Sequence, residues 1–216
     1  MTTLNVRTAR AIWLVDARDL NPRGLEILPM LDAIRDRYSF QVYPRTIEEA
    51  NEQDPKGIVF AGGSFDIDGG RYAIVKATMY GDGIVAESVL STDFTEAFLA
   101  DALSFLSGEF GLTYRPEMIH KKIYLSELVV HTEKSLNPLF SKLSGLGESL
   151  SRLTGQIFEP TGFSFGIDTQ ATPARPVPFR LEREVNKGFD QGRYYSAAPL
   201  RTSEHEDLLR ELEGML

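Results

Sequence analysis

The stretch AGGSFDIDGGRYAIVKATMYGDGIVAES, residues 61–88, decides the fold of this chain. It joins three β-prone runs through two short segments of glycine and aspartate. Gly-Gly and Asp-Gly pairs are frequent loops of two-residue β-hairpins, so Gly69-Gly70 and Asp82-Gly83 mark two turns. We therefore predict a meander of three consecutive antiparallel strands, at residues 64–68, 71–80 and 84–90.

The register of the second hairpin follows from its loop. With Asp82-Gly83 as the loop, Lys76 faces Val89 and lies diagonal to Glu87, an opposite charge within reach. One face of the strand pair is then mixed and polar, and the other is small and apolar. This pattern is typical of an antiparallel meander that is covered on one side.

The rest of the chain adds helices and further strands. Apolar residues recur at helical spacing over 27–38, 93–106, 135–155 and 203–216, and short apolar runs predict strands at 10–19, 40–44 and 121–130. Strands come in clusters rather than alternating with helices, which favours an α+β fold. We predict an antiparallel β-meander with helices packed on one face. The chain is expected to form a single domain over 1–216, with a sub-boundary near 155 before a C-terminal segment of strands, loops and a helix, 156–216.

Composition limits the classes of function. The net charge is −8 over 216 residues, which argues against nucleic-acid and anionic-membrane partners because these select a basic face. The chain has no cysteine, so thiol catalysis and zinc–thiolate sites are excluded. No apolar run approaches the about 20 residues of a membrane helix, and the N-terminus does not resemble a signal peptide. We expect a soluble cytoplasmic protein.

The aspartates of the opening stretch do not form a known loop motif. A calcium loop that begins at Asp66 would have Asp68 at its third position, but Arg71 replaces the required glycine and Ala77 the required glutamate. A P-loop would need a Gly-Lys-Ser/Thr sequence, which does not follow. We predict that both turns are structural and that the chain binds no cofactor.

One catalytic alternative uses aspartates from two strand ends. Asp16 and Asp19 follow the first strand, and Asp66 and Asp68 end another. If those ends were adjacent, four carboxylates could hold Mg²⁺ or Mn²⁺ for phosphoryl chemistry. The competing interpretation is that these residues form turns and caps.

The most regular pattern in the chain is a run of leucines spaced three, four, three, four and three residues apart. This spacing is the narrow seam of a coiled coil, and small residues occupy the opposite side. The seam either packs on the chain's own sheet or on helix 93–106, or it meets a partner helix, most simply a second copy about a two-fold axis. The leucines are Leu136, Leu139, Leu143, Leu146, Leu150 and Leu153.

Arginine and tyrosine are concentrated in the C-terminal segment, which is expected to be irregular over residues 188–202. Both are common at protein interfaces and in anion pockets. The alternative is internal pairing of Arg180 or Arg183 with nearby glutamates, with both tyrosines partly buried. The candidate interaction residues here are Arg180, Arg183, Arg193, Tyr194 and Tyr195.

Two functions remain after these exclusions. The first is a non-catalytic interaction module, a subunit of a larger assembly that binds protein, most simply itself as a homodimer. The alternative is a metal-dependent phosphohydrolase or nuclease that uses the aspartate cluster. Both are expectations from the sequence.

Overall fold

The computed structural model of the chain describes residues 1–50, 54–168 and 176–216. The predicted polar surface segment 46–55 and the proline-rich connection 169–178 lie partly outside the described residues. Contacts divide the chain into two compact units. The meander unit comprises Thr8–Ser126 and Leu200–Thr202, and the second unit comprises Met1–Arg7, Glu127–Pro199 and Ser203–Leu216.

The meander unit carries the predicted antiparallel sheet. Its strands are β1 (Thr2–Leu14), which begins in the second unit, β2 (Ile58–Ile67), β3 (Gly70–Tyr80), β4 (Gly83–Ser88) and the first part of β5 (Lys121–His131). Hydrogen bonding orders them β2-β3-β4-β1-β5, and β2-β3, β3-β4 and β4-β1 are antiparallel pairs. The predicted meander is therefore confirmed.

Both hairpin loops lie one residue earlier than predicted. Ile67 pairs with Gly70, so Asp68-Gly69 is the first loop, and both of its residues have positive φ, as a type I′ turn requires. Tyr80 pairs with Gly83, which makes Gly81-Asp82 the second loop.

The register of the second hairpin changes with its loop. Lys76 lies directly opposite Glu87 rather than diagonal to it. From Lys76 to Tyr80 each residue's partner moves by two positions, and a shift of two keeps these side chains on their predicted face of the sheet. The register shifts again between Ile74 and Lys76.

Helices cover one face of the meander, as predicted. They are α1 (Ala17–Leu20), α2 (Ile27–Tyr38) and α3 (Thr92–Phe110), and α3 contacts β4 while α2 contacts β2. Their aromatic side chains meet in the core, where the Tyr38 and Phe98 rings pack edge to face with centroids 4.9 Å apart. The predicted strand 10–19 ends at Leu14 because α1 follows, and the predicted strand 40–44 is a single bridge between Val42 and Ala61.

The second unit contains the remaining strands and helices. Strands β6 (Gly162–Phe165), β7 (Phe179–Arg183) and β8 (Arg193–Ala198) follow β5 in the order β5-β8-β7-β6, and β6-β7 and β7-β8 pair antiparallel. Helix α5 (Thr202–Gly214) closes the chain. The core of the unit consists of Leu128, Val130, Leu136, Leu181, Tyr194 and Leu209.

The prediction of irregular structure over 188–202 is wrong for β8. Ser196 interrupts the apolar pattern of this strand in the sequence. It is buried and donates its hydroxyl hydrogen to the Arg180 carbonyl oxygen. A buried hydroxyl with a hydrogen-bond partner is compatible with a central strand, so the polar sequence did not exclude one.

The long helix predicted over 135–155 is also wrong as a single element. The segment Asn137–Leu143 is a 3-10 helix, and an α-helix, α4 (Ser144–Thr154), follows it. Phe140 has non-helical backbone angles, φ −109° and ψ 18°. Pro138 lies in the first turn of the 3-10 segment, where proline is tolerated, and the non-helical backbone of Phe140 is what separates this segment from a continuous α-helix.

No helix in the described part of the chain is both long enough and apolar enough to cross a membrane. A single domain over 1–216 and a sub-boundary near 155 stay predictions.

Candidate interaction surface

Helix α4 packs on its own chain through its smallest residues. A Cβ atom at Gly147 would lie 3.0 Å from the Phe158 carbonyl oxygen, so only glycine fits this approach comfortably. Beside it, Ser151 accepts a hydrogen bond from the Phe158 backbone N–H at 2.8 Å and donates one to the Gly147 carbonyl oxygen. The helix is therefore held against the segment 156–160 by backbone contact and serine hydrogen bonds.

The leucines of the predicted seam point away from this contact. Leu136 belongs to the buried core of the second unit, but the other five are 37 to 82 % exposed. At 100° per residue, the α4 leucines share one side of the helix, and Gly147 and Ser151 lie on another. We call the five exposed side chains the leucine face: Leu139, Leu143, Leu146, Leu150 and Leu153.

This arrangement reverses the usual packing of an amphipathic helix. Such helices bury their apolar stripe and expose their polar side. Gly145 and Gly147 each cost the helix about 1 kcal/mol relative to alanine, and an isolated helix of this length is marginal in water. The intrachain contacts of α4 involve small groups, while each leucine would contribute about 1.5–3 kcal/mol on full burial. Contacts with the described residues therefore provide only a small part of the stabilisation that burial of the α4 leucines would give.

Two further apolar side chains lie on the Gly147 side of α4 rather than on the leucine face. Ile157, which follows the helix-ending Gly155, is 79 % exposed, and Phe158 is partly exposed. Both line a groove of about 410 Å³ beside α4, together with Phe140. Sequence reasoning missed Ile157 and Phe158, although an apolar pair directly after a helix-ending glycine is a usable signal because such residues commonly pack back on the helix.

The predicted arginines of this unit are paired within the chain. Arg183 forms an ion pair with Glu159 at 3.1 Å, and its side chain is only 10 % exposed. Arg180 lies 3.9 Å from Glu182. The predicted intrachain salt bridges are confirmed, although Glu159, 24 residues from Arg183, was not anticipated as a partner.

Arg193 and the two tyrosines are also held internally. Arg193 pairs with Glu184 at 2.7 Å. Tyr194 is buried, and burial raises the pKa of its hydroxyl. Tyr195 is half-buried and its hydroxyl accepts a hydrogen bond from Arg180, which raises the pKa of that guanidinium. The predicted burial of both tyrosines is confirmed, and these residues contribute internal order rather than a set of free charges.

A polar cleft of about 610 Å³ lies beside Arg183. The guanidinium lies 4.5 Å from the centroid of the Phe189 ring and donates a hydrogen bond to the Phe189 carbonyl oxygen. With Glu159 on its other nitrogen, the charge that enters the cleft is already compensated. Its wall also includes His131, Asn137 and further polar and charged side chains, among them Glu133, Lys134, Ser135 and Asp190.

The four aspartates of the catalytic alternative do not converge. Asp16 lies beside the loop Gly81-Asp82, because Val15 and Ala17 donate backbone hydrogen bonds to the carbonyl oxygens of that loop. Asp66 lies opposite Arg71, ten residues earlier along β3. At about 3.3 Å per residue, the two sites are roughly 33 Å apart.

Each aspartate has a local role or a solvent-exposed position. Asp16 caps α1 and accepts hydrogen bonds from Arg18, which lower the pKa of its carboxyl to about 2. Asp66 lies 3.9 Å from Arg71, Asp68 lies in the first hairpin loop, and Asp19 is exposed on α1. Across 1–50, 54–168 and 176–216, no group of three or more carboxylates and histidines is arranged to hold a metal ion.

An open acidic cleft of about 880 Å³ surrounds Asp16. Asp82, Tyr80 and His120 line it, together with Arg18. Asp54 also lines the cleft, and Arg18 forms a 2.7 Å ion pair with Asp16, so the Asp16 carboxylate is held by a local cation.

A serine and a histidine do meet in the second unit, but in its interior. The Ser196 hydroxyl lies 2.8 Å from His205 Nε2, and both residues are fully buried. Burial lowers the pKa of His205 to about 4, so the ring is neutral at pH 7. A substrate could not reach this pair, which therefore joins β8 to α5 as a structural contact.

Comparisons with known proteins add no family. No family model matches the chain, and a search of characterised proteins found no match either.

Proposed function

We propose that this chain is a non-catalytic interaction module that binds a second copy of itself through the leucine face. The observation that carries the proposal is the orientation of α4, which turns Gly147 and Ser151 inward and Leu143, Leu146, Leu150 and Leu153 outward. A contiguous exposed apolar patch on a water-soluble surface typically marks an interaction site.

The alternative function lacks geometric support. A shared ion requires ligand oxygens within about 2–2.6 Å of one metal, whereas Asp16 and Asp66 lie at opposite ends of β3. The leucine face does not depend on converging ligands, because association needs only apolar surface and complementary shape. A cytoplasmic location and membership of a larger assembly stay predictions from the sequence.

Sedimentation equilibrium tests the proposal. The wild-type protein should form a reversible dimer between micromolar and near-millimolar concentrations. A variant with Leu146→Asp and Leu150→Asp should be a folded monomer with the circular dichroism of the wild type, because neither side chain belongs to the buried core. Val185→Asp, a change at a strongly exposed residue outside α4, is the matched control and should still form the dimer.

Two results would contradict the proposal. The first is a wild-type protein that remains monomeric up to the highest concentration. The second is a double variant that loses its secondary structure, since that would make the leucines part of the folded core rather than a docking surface.

A further inference from the structure

The leucines of α4 have a symmetric spacing. Leu143, Leu146, Leu150 and Leu153 are separated by three, four and three residues, so the pattern reads the same from either end. Its centre is position 148. The next exposed apolar residues on either side, Leu139 and Ile157, lie nine residues before and after this centre, but Ile157 lines the groove on the Gly147 side of α4 and is not part of the leucine face.

A two-fold axis perpendicular to a helix pairs residues at equal distances from its centre. Two α4 helices related in this way run antiparallel, and Leu143 meets Leu153 of the second copy while Leu146 meets Leu150. Such an interface is isologous, with the same patch used on both copies. Because the pattern is a palindrome, each of the four leucines meets a leucine of the second copy.

The charges of α4 are compatible with this pairing. The chain carries a net charge of −8, but α4 holds one acidic and one basic residue, Glu148 and Arg152, and is therefore neutral. Glu148 lies at the centre of the pattern along the helix. Its side chain is on the side of α4 that lines the groove with Ile157 and Phe158. The Glu148 carboxylates of two copies therefore do not meet between the leucines. Antiparallel helices also place opposite dipole ends side by side, which favours this arrangement over a parallel one.

We propose that two copies of the chain associate through antiparallel α4 helices, about a two-fold axis at position 148. This rests on the proposed function and adds the geometry of the partner. Antiparallel α4 helices are about 16 Å long, which is short for a stable interface of about 800 Å² per copy. The interface is therefore small even with Leu139 at its ends, and the dimer is expected to be weak and reversible.

Disulfide trapping tests the direction of the helices, because the chain has no cysteine of its own. Leu143→Cys and Leu153→Cys are made as separate variants, one with an added mass tag, and are oxidised alone and mixed. A disulfide needs Cα atoms within about 7 Å. In the antiparallel dimer only the mixture satisfies this distance, since identical positions are about 15 Å apart along the helix. The mixed disulfide should exceed either self-linked product several-fold.

A second pair and a control sharpen the result. Leu146→Cys mixed with Leu150→Cys should also link, and Val185→Cys should not link with any of them. If Leu143→Cys and Leu153→Cys each link mainly to themselves, the helices are parallel; the antiparallel geometry is then overturned while self-association stands. If sedimentation shows a dimer but none of the α4 variants link, the leucine face is not the interface and both proposals fail. A wild-type protein that stays monomeric would contradict both the self-association and its antiparallel geometry.

Discussion

Helices α3 and α4 have apolar stripes in the sequence, and the structure uses them in opposite ways. Helix α3 buries Phe94, Phe98, Leu99 and Leu103 against the meander, whereas α4 exposes its leucines. The stripe of α3 is broad and aromatic, so it fills the space over a sheet. That of α4 is narrow, and glycine and serine beside it allow a closer backbone contact with Phe158. The spacing of apolar residues identifies an apolar face of a helix. Which face packs against the chain also depends on the residues of the other faces, here the glycine and serine of α4.

The largest expected difference between the two helices is in stability. Phe98→Ala should lower the free energy of unfolding by about 3–5 kcal/mol, because the ring is fully buried and contacts Tyr38, Phe40 and Phe65. Leu146→Ala should change it by less than about 0.5 kcal/mol in dilute solution, where the chain is monomeric. Urea unfolding measures both.

Concentration distinguishes these two variants further. The effect of Phe98→Ala should not depend on protein concentration, whereas a cost of Leu146→Ala should appear as concentration rises, because association stabilises the wild type by mass action. A large cost of Leu146→Ala in dilute solution would break the contrast between α3 and α4.

A smaller effect on the free energy of unfolding is expected at acid pH. It concerns α5, the helix of the second unit that buries His205. Burial lowers the pKa of His205 to about 4, whereas the unfolded chain has a pKa of about 6.5. Between these values the unfolded chain binds a proton that the folded chain does not, so stability rises with pH. Lowering the pH from 7 to 4 should cost at most about 3 kcal/mol from this group.

The change His205→Gln isolates this contribution from the carboxylates. Between pH 7 and pH 5 few carboxylates titrate, so the variant should lose most of the pH dependence that the wild type shows in urea unfolding. An identical pH dependence in both proteins would mean that His205 is not held neutral in the folded state.

The fold was largely readable from local chemistry. The glycine turns of residues 61–88 predicted the meander, and apolar spacing predicted α2, α3 and the helical region around α4. The first loop was placed one residue late because Asp68, like glycine, accepts a positive φ and so takes the first position of its turn. The faces survived this error, since a two-residue shift does not exchange them.

The candidate site was only half readable. The spacing of the leucines marked an apolar face, but nothing local says that α4 would pack through Gly147, because the contact depends on Phe158 returning to the helix after Gly155. Likewise, Arg183 could be assigned a carboxylate partner but not Glu159 in particular, which β6 and β7 bring near it. Contacts between segments separated by a turn are set by tertiary packing, which composition and periodicity do not encode.

The smallest expected effect on stability concerns the contact between Gly147 and Phe158, which packs α4 with its leucines exposed. Gly145 and Gly147 lie two residues apart in the same helix, so alanine should bring the same gain in helix propensity at both, about 1 kcal/mol. At Gly145 a Cβ would meet nothing within 4 Å, and Gly145→Ala should deliver this gain in urea unfolding. At Gly147 the Cβ would lie 3.0 Å from the Phe158 carbonyl oxygen, so α4 or the 156–160 segment must shift, and that displacement offsets the gain. Gly147→Ala should therefore be less stable than Gly145→Ala by on the order of 1 kcal/mol. Equal stabilisation by the two changes would mean that α4 does not rest on Phe158 through its small face, and the leucines would then be free to turn inward.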